Sequence, residues 1–248
     1  MTKLSVNVNK VALLRNSRDI GIPSVVAAAR ACVQAGAAGI TVHPRPDQRH
    51  IRPADVHELA EMLTVEFNIE GNPFAEAAGS YPGFLAIVRQ VRPSQCTLVP
   101  DDPGQITSDH GWDLAKDADR LKPVLAELAD LGVRTSLFMD ADLEQIDRAG
   151  ELGPDRIVLY TEPYARAFAQ GDVAAEFARF AAAAERAQQL HLGVNAGHDL
   201  NLDNLGHFCT IPGILEVSIG HALVADALHM GFPAAVKAYL EALSGQDD

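Results

Sequence analysis

An alternation restricts this chain more than any other feature. Eight short runs with the character of β-strands are each followed by a longer segment of helical period. The runs are Leu4–Asn9, Gly39–His43, Phe67–Gly71, Cys96–Pro100, Arg134–Asp140, Arg156–Tyr160, Leu192–Ala196 and Glu216–Gly220. The intervening segments include "PSVVAAARACVQAG", "PADVHELAEMLT" and "LKPVLAELADLG". Helix-to-strand joints recur as Ala35-Gly36, Leu131-Gly132 and Leu152-Gly153, where glycine supplies the left-handed residue that closes a helix. Pro23, Pro53 and Pro82 stand where a helix would open, a position that tolerates the missing N–H. Strands alternating with helices imply βα units and a parallel sheet. Eight such units in 248 residues predict a (β/α)8 TIM barrel forming one domain over residues 1–248, with no linker to divide it. A doubly wound open sheet is the alternative, but no GxGxxG follows the first strand.

Charge narrows the partners. The chain carries 33 acidic and 20 basic residues, a net charge of −13. That argues against nucleic acid, whose binders neutralise phosphates with basic patches. It leaves room for small anions, because a few arginines in one cleft override the global sign. No apolar run approaches the roughly 18 residues a membrane span needs. The N-terminus "MTKLSVNVNK" alternates like a strand and has no signal-peptide core. Cys32, Cys96 and Cys209 are scattered and form no CxxC pair, the pattern of reduced core thiols in a cytoplasmic protein.

In a barrel of this kind the site gathers at the C-terminal ends of the strands. Read in order, those ends give Asn7, Asn9 and Lys10; His43, then Arg45 and His50; Glu70; Asp101 and Asp102; Asp140; Tyr160, Thr161 and Glu162; Asn195 and His198; Gly220 and His221. One polar residue at a strand end is ordinary. Three ends bearing histidine, with a glutamate between them, point to acid–base chemistry at one mouth. The run "SIGHALVADAL" passes through Gly220 into a helix, and helix-terminal amides there form an anion site. Arg15, Arg18 and Arg45 follow the first two strands and suggest a second anion pocket. Gly71–Tyr81 and Pro100–Asp113 are longer than the connections require, so both are candidate lids. Other chemistries fit less well. The first strand has Asn7-Val8-Asn9 where a metallohydrolase would have paired histidines, there is no HExxH and no GxSxG, and of five lysines only Lys10 falls at a strand end. Acid–base work on a phosphorylated substrate, without metal or organic cofactor, remains.

The motifs "VNVNKVALLRNSR", "AGAAGITVHPRPDQRHI", "FNIEGN", "CTLVPD", "GVRTSLFMDAD", "GVNAGHDLN" and "EVSIGHALVADAL", in that order, resemble those of the pyridoxine 5′-phosphate synthase family over nearly the whole chain. The resemblance implies a (β/α)8 barrel with extra helices, usually a homo-octamer. It implies condensation of 1-deoxy-D-xylulose 5-phosphate with 3-amino-2-oxopropyl phosphate, giving pyridoxine 5′-phosphate, phosphate and water with no cofactor. By that resemblance His43 and Glu70 are general bases and His198 a proton donor. Asn7, Arg18, Gly220 and His221 hold the aminoketone phosphate. Arg45, His50 and Thr107 hold the deoxyxylulose phosphate, which Asn9 and Lys10 also face; Thr107 rides on a loop that closes over the site. Arg49 is expected at the surface or an interface. Three departures stand out. Asn9-Lys10 replaces Asp-His. Asp199 replaces a glycine whose amide would help hold phosphate. Val158 occupies the place of a strand glutamate that steadies charged intermediates. Glu162, on the same face and roughly 13 Å further along an extended strand, could substitute only if the chain turned back. A catalytically weakened paralogue that binds phosphosugars is the alternative those departures raise.

Overall fold

The computed structural model describes residues 1–18, 20–102 and 104–245. Eight parallel strands close on themselves in chain order: β1 (Lys3–Asn7), β2 (Gly39–Val42), β3 (Glu66–Gly71), β4 (Gln95–Leu98), β5 (Arg134–Met139), β6 (Arg156–Tyr160), β7 (Gly193–Gly197) and β8 (Ile214–Ile219), with β8 pairing back onto β1. The (β/α)8 expectation holds. Strand bounds differ from the sequence reading by a residue or two. Most consequentially, β1 ends at Asn7, and Asn9 already belongs to α1 (Asn9–Asn16).

The remaining helices are α2 (Val25–Gln34), α3 (Pro53–Met62), α4 (Phe84–Val91), α5 (Leu114–Asp130), α6 (Leu143–Leu152), α7 (Glu162–Gln170), α8 (Ala174–Gln189), α9 (Leu205–Phe208), α10 (His221–Met230) and α11 (Phe232–Ser244). Three lie beyond one helix per strand: α1 over the end of β1, α7 before α8, and α11 after the last unit. The local signals are physical. In α5, Leu121, Val124, Leu125 and Leu128 repeat at helical spacing and are buried, while the Asp113 carboxylate caps the first turn through Ala115 N–H. Gly36, Gly132 and Gly153 adopt positive φ, as their joints require. Pro53 opens α3, but Pro23 and Pro82 precede the cap residues Ser24 and Gly83, so they end the incoming loops rather than start helices. Among the described residues no helix is long and apolar enough to cross a membrane.

The two faces of the sheet differ. Leu4, Val6, Ile40, Val42, Ile69, Leu98, Leu137, Leu159, Val194 and Val217 join the large core beneath the helices. The alternate residues line the barrel, and many are polar. Ser5 and Thr41 share a hydrogen bond (2.8 Å), Asn68 Nδ2 donates to Thr41 Oγ1 (3.2 Å), and Thr97 Oγ1 donates to Asn68 Oδ1 (2.9 Å). This polar lining is why several strands read as alternating rather than as the continuous apolar runs usual in buried parallel sheets. Among the described residues the apolar part of the interior is the cluster of Val99 after β4, Phe138 on β5, and Val158 and Tyr160 on β6. Cys32, Cys96 and Cys209 are buried and unpaired.

Candidate active site

The inward phase of the strands decides which side chains reach the mouth. Two residues past Ser5, Thr41 and Asn68 come Asn7, His43 and Glu70. Asn7 Nδ2 donates to Glu70 Oε2 (3.4 Å), and Asn7 Oδ1 accepts from Asn9 N–H (2.9 Å). Asn9 Oδ1 in turn accepts the His43 backbone N–H (2.9 Å). Thus Asn7 at the end of β1 and Asn9 at the start of α1 together fix the strand end that carries His43. Gly220, the residue before α10, lies close to Asn7: a Cβ there would stand 3.1 Å from Asn7 Cβ, a tight contact that the asparagine would have to yield to.

Burial and charge set the proton affinities. His43 is buried, and desolvation, reinforced by the Arg45 guanidinium, holds its imidazole well below the usual histidine range. It is a neutral ring with a free base function at neutral pH. Its Nε2 lies 3.8 Å from Asp101 Oδ2, and its ring meets that of His50 edge-on at 6.2 Å. His50 accepts the Ile51 N–H at Nδ1 (2.9 Å), so its hydrogen sits on Nε2, and burial with Arg45 pushes its pKa down to about 3. Glu70 is pushed the other way, to about 8, by desolvation first and the nearby Asp101 carboxylate second.

The loop between β4 and α5 is tied down over this mouth. Arg45 Nη2 contacts Asp101 Oδ2 closely, and its Nη1 donates to the Gln105 carbonyl (3.2 Å). Ser108 Oγ donates to the same Asp101 oxygen (2.8 Å). Arg49 also reaches the loop, donating from Nη1 to the carbonyls of Gln105 (2.9 Å) and Ile106 (3.2 Å). Arg49 is therefore a loop anchor, a role not legible from its neighbours in sequence. The loop brings Thr107 Oγ1 to 2.9 Å from His198 Nε2. His198 Nδ1 lies 3.0 Å from Asp199 Oδ2, and the ring packs edge-on against Tyr160 with centroids 5.2 Å apart.

Some sequence candidates stand elsewhere. Arg15 belongs to no anion pocket: its guanidinium grips Asp55 through both nitrogens and donates to the His50 carbonyl (3.2 Å). Arg18 is exposed beyond the end of α1, with no hydrogen bond to the site among the described residues. Lys10 is half-buried on α1 and close enough to His50 and Asp199 to act on both electrostatically. Val158 is walled in by Val99, Phe138 and Tyr160. Glu162 opens α7 and pairs with Arg166 Nη1 (3.3 Å). The sequence reading gave Asp101 no role, although its place at the end of the fourth strand was the available signal; Gln105 and Ser108 had no signal beyond their long loop.

A parallel eight-strand barrel with histidines, a carboxyl group of raised pKa and an arginine gathered at its C-terminal mouth has the layout of a (β/α)8 enzyme, whose sites lie at that end of the strands. The chain belongs to the family described as pyridoxal phosphate biosynthesis protein PdxJ, whose model matches residues 4–245. It is similar to pyridoxine 5′-phosphate synthase of Xanthomonas axonopodis pv. citri (strain 306), 57% identical over 246 residues that cover 98% of this chain and 96% of that protein. Similarity to pyridoxine 5′-phosphate synthase of Xanthomonas campestris pv. campestris (strain B100) is 56% over 248 residues, 98% of this chain and 97% of that one. Among solved structures, thiamine phosphate pyrophosphorylase from Pyrococcus furiosus shares the fold at a TM-score of 0.61 with 13% identity, covering 99% of this chain and 97% of that chain.

Proposed function

We propose that the chain is a pyridoxine 5′-phosphate synthase, condensing 1-deoxy-D-xylulose 5-phosphate with 3-amino-2-oxopropyl phosphate by acid–base catalysis. The single observation that carries this reading is the mouth itself. A neutral buried imidazole (His43) and a carboxyl with pKa raised to about 8 (Glu70) flank a site tied by Arg45 to a covering loop. Ring formation through imines, dehydration and aldol-like closure needs such proton carriers and shelter from water.

In this assignment His43 and Glu70 take protons from carbon or nitrogen, and His198 gives one to a departing oxygen. The deoxyxylulose phosphate sits against Arg45, the His50 Nε2–H and Thr107, with Asn9 and Lys10 facing it. The aminoketone phosphate sits on the amides of Gly220 and His221 at the start of α10, on the Asp199 amide, and on Asn7; Arg18 swings in when that phosphate arrives. The chain acts as a single catalytic domain in the cytoplasm, as a homo-oligomer, with the octamer as the expected size on a sizing column.

The test is product formation by purified protein from the two phosphates, in parallel with Val158→Glu. Turnover by the parent protein supports the reading. No turnover in the parent with turnover in V158E would sink it and would mark the chain as a weakened relative. Loss of activity to a chelator would contradict the cofactor-free chemistry.

Glu70 gives a pH signature. A general base acts only when deprotonated, so kcat/KM is expected to rise with pH through about 8 in the free enzyme. Glu70→Gln should remove that limb along with most of the activity. A profile flat between pH 6 and 9 would exclude Glu70 as an essential base.

A further inference from the structure

We propose that Asp199 is a positioning residue: its carboxylate orients His198, and the loop residue Thr107 completes the arrangement only when the loop lies over the mouth. The inference rests on the assignment of His198 as proton donor and goes beyond it by giving the neighbouring residue a task.

Geometry carries the argument. A carboxylate has no hydrogen to give, so the 3.0 Å contact between His198 Nδ1 and Asp199 Oδ2 requires the hydrogen on Nδ1. That leaves Nε2 directed at Thr107 Oγ1, 2.9 Å away on the loop. When His198 is doubly protonated, Nε2–H points to the hydroxyl or to a substrate oxygen that displaces it. After transfer the N–H electron pair stays on Nε2, an O–H bond has formed on the departing hydroxyl, and the neutral ring keeps its Nδ1 hydrogen on Asp199. The same tautomer serves before and after, so no ring flip is needed.

The backbone holds this pair rigidly. His198 and Asp199 both take positive φ, 88° and 58°. Thr161 Oγ1 donates to the Gly197 carbonyl (2.8 Å) and contacts that of His198. Tyr160 packs edge-on against the ring. Charged and titratable groups surround the pair from several elements: Lys10 on α1, His43 after β2, Tyr160 on β6 and His221 on α10. The Asp199 carboxyl is itself held below its usual range, first by its hydrogen bond to His198. A glycine at 199 would leave the phosphate amide less crowded; aspartate instead turns its side chain onto the imidazole.

Asp199 is exposed enough, 43% for its side chain, that solvent screens the pair. Orientation of the ring is therefore the effect to look for. The experiment follows the imidazole directly, by NMR of the full-length chain labelled with 15N-histidine. In Asp199→Asn and Asp199→Gly the neutral His198 ring is expected to lose the fixed Nδ1–H tautomer that it shows in the parent. Asparagine and glycine both accept left-handed φ, so D199N and D199G should fold as the parent does. In turnover, D199N should lose about 10- to 100-fold in kcat, with KM for each phosphate changed less than about twofold. Asp199→Glu should recover part of the loss. An unchanged His198 tautomer in D199N and D199G would overturn the proposal. So would an undiminished kcat with a lower KM for the aminoketone phosphate, the result expected if the carboxylate only repels phosphate. If the parent protein makes no product, the functional assignment fails, and the imidazole tautomer still decides the role of Asp199.

Discussion

His43→Ala should lower turnover about 1,000-fold while leaving the binding of each phosphorylated substrate nearly unchanged. The expectation follows from what surrounds the ring. Its backbone is pinned by Asn9 Oδ1 and its side chain is buried, so imidazole and strand end are pre-set rather than recruited. Desolvation and Arg45 keep it neutral well below pH 6.5, so its lone pair is available across the physiological range. The phosphate contacts assigned above use other side chains, which survive the substitution. A 1,000-fold loss is about 4 kcal/mol of transition-state stabilisation. Single-turnover rates with substrate-binding titrations separate the two quantities. Activity within about tenfold of the parent would remove His43 from the chemistry. Weakened binding with kcat retained would make it a substrate-holding group. The acid limb from His43 should lie well under that of Glu70, so the two bases are distinguishable in one pH profile.

Asp55→Ala should destabilise the protein by about 3–5 kcal/mol. For a chain of this size that is about 10 °C in melting temperature. Arg15 and Asp55 are both buried, at 8% and 6% exposure, and their two-point contact neutralises charges that have left water. Asp55 Oδ2 also accepts the Arg52 N–H (2.8 Å) that opens α3. Removing the carboxylate leaves a buried guanidinium without its counter-charge and uncaps a helix at once. The site would feel it, because Arg15 and Asn16 hold the carbonyls of residues 48–50: Asn16 Nδ2 donates to Gln48 (3.3 Å), Arg49 (3.0 Å) and His50 (2.8 Å). The double variant Arg15→Met with Asp55→Leu should recover most of the loss, since a buried ion pair and an apolar pair of similar volume are close in energy. A melting temperature within 2 °C of the parent in the single variant would show that the pair contributes little.

Much of this was legible in the sequence for identifiable reasons. Eight runs of strand length punctuated by helix-closing glycines leave few topologies, and Gly36, Gly132 and Gly153 sit at positive φ as read. Strand-end residues could be named because alternation fixes phase: Asn7, His43 and Glu70 follow from Ser5, Thr41 and Asn68. What failed was anything decided by long-range pairing. Arg15 and Arg45 look alike in sequence, yet one is matched to Asp55 on α3 and the other to Asp101 after β4. Arg49 reads as a surface residue and instead donates to carbonyls 56 and 57 positions away. Asp199 reads as an obstacle to phosphate, because nothing local says that its carboxylate turns onto the preceding imidazole. Val158 was flagged by position, and the wall of Val99, Phe138 and Tyr160 accounts for its comfort there without a charge.

The central claim is tested most directly by following both substrates to completion with the purified protein, by 31P and 13C NMR. The account predicts the pyridine ring carbons of pyridoxine 5′-phosphate appearing in step with inorganic phosphate, one of each for every pair of substrates consumed. Substrates that bind but persist unchanged, or phosphate released without ring closure, would contradict it.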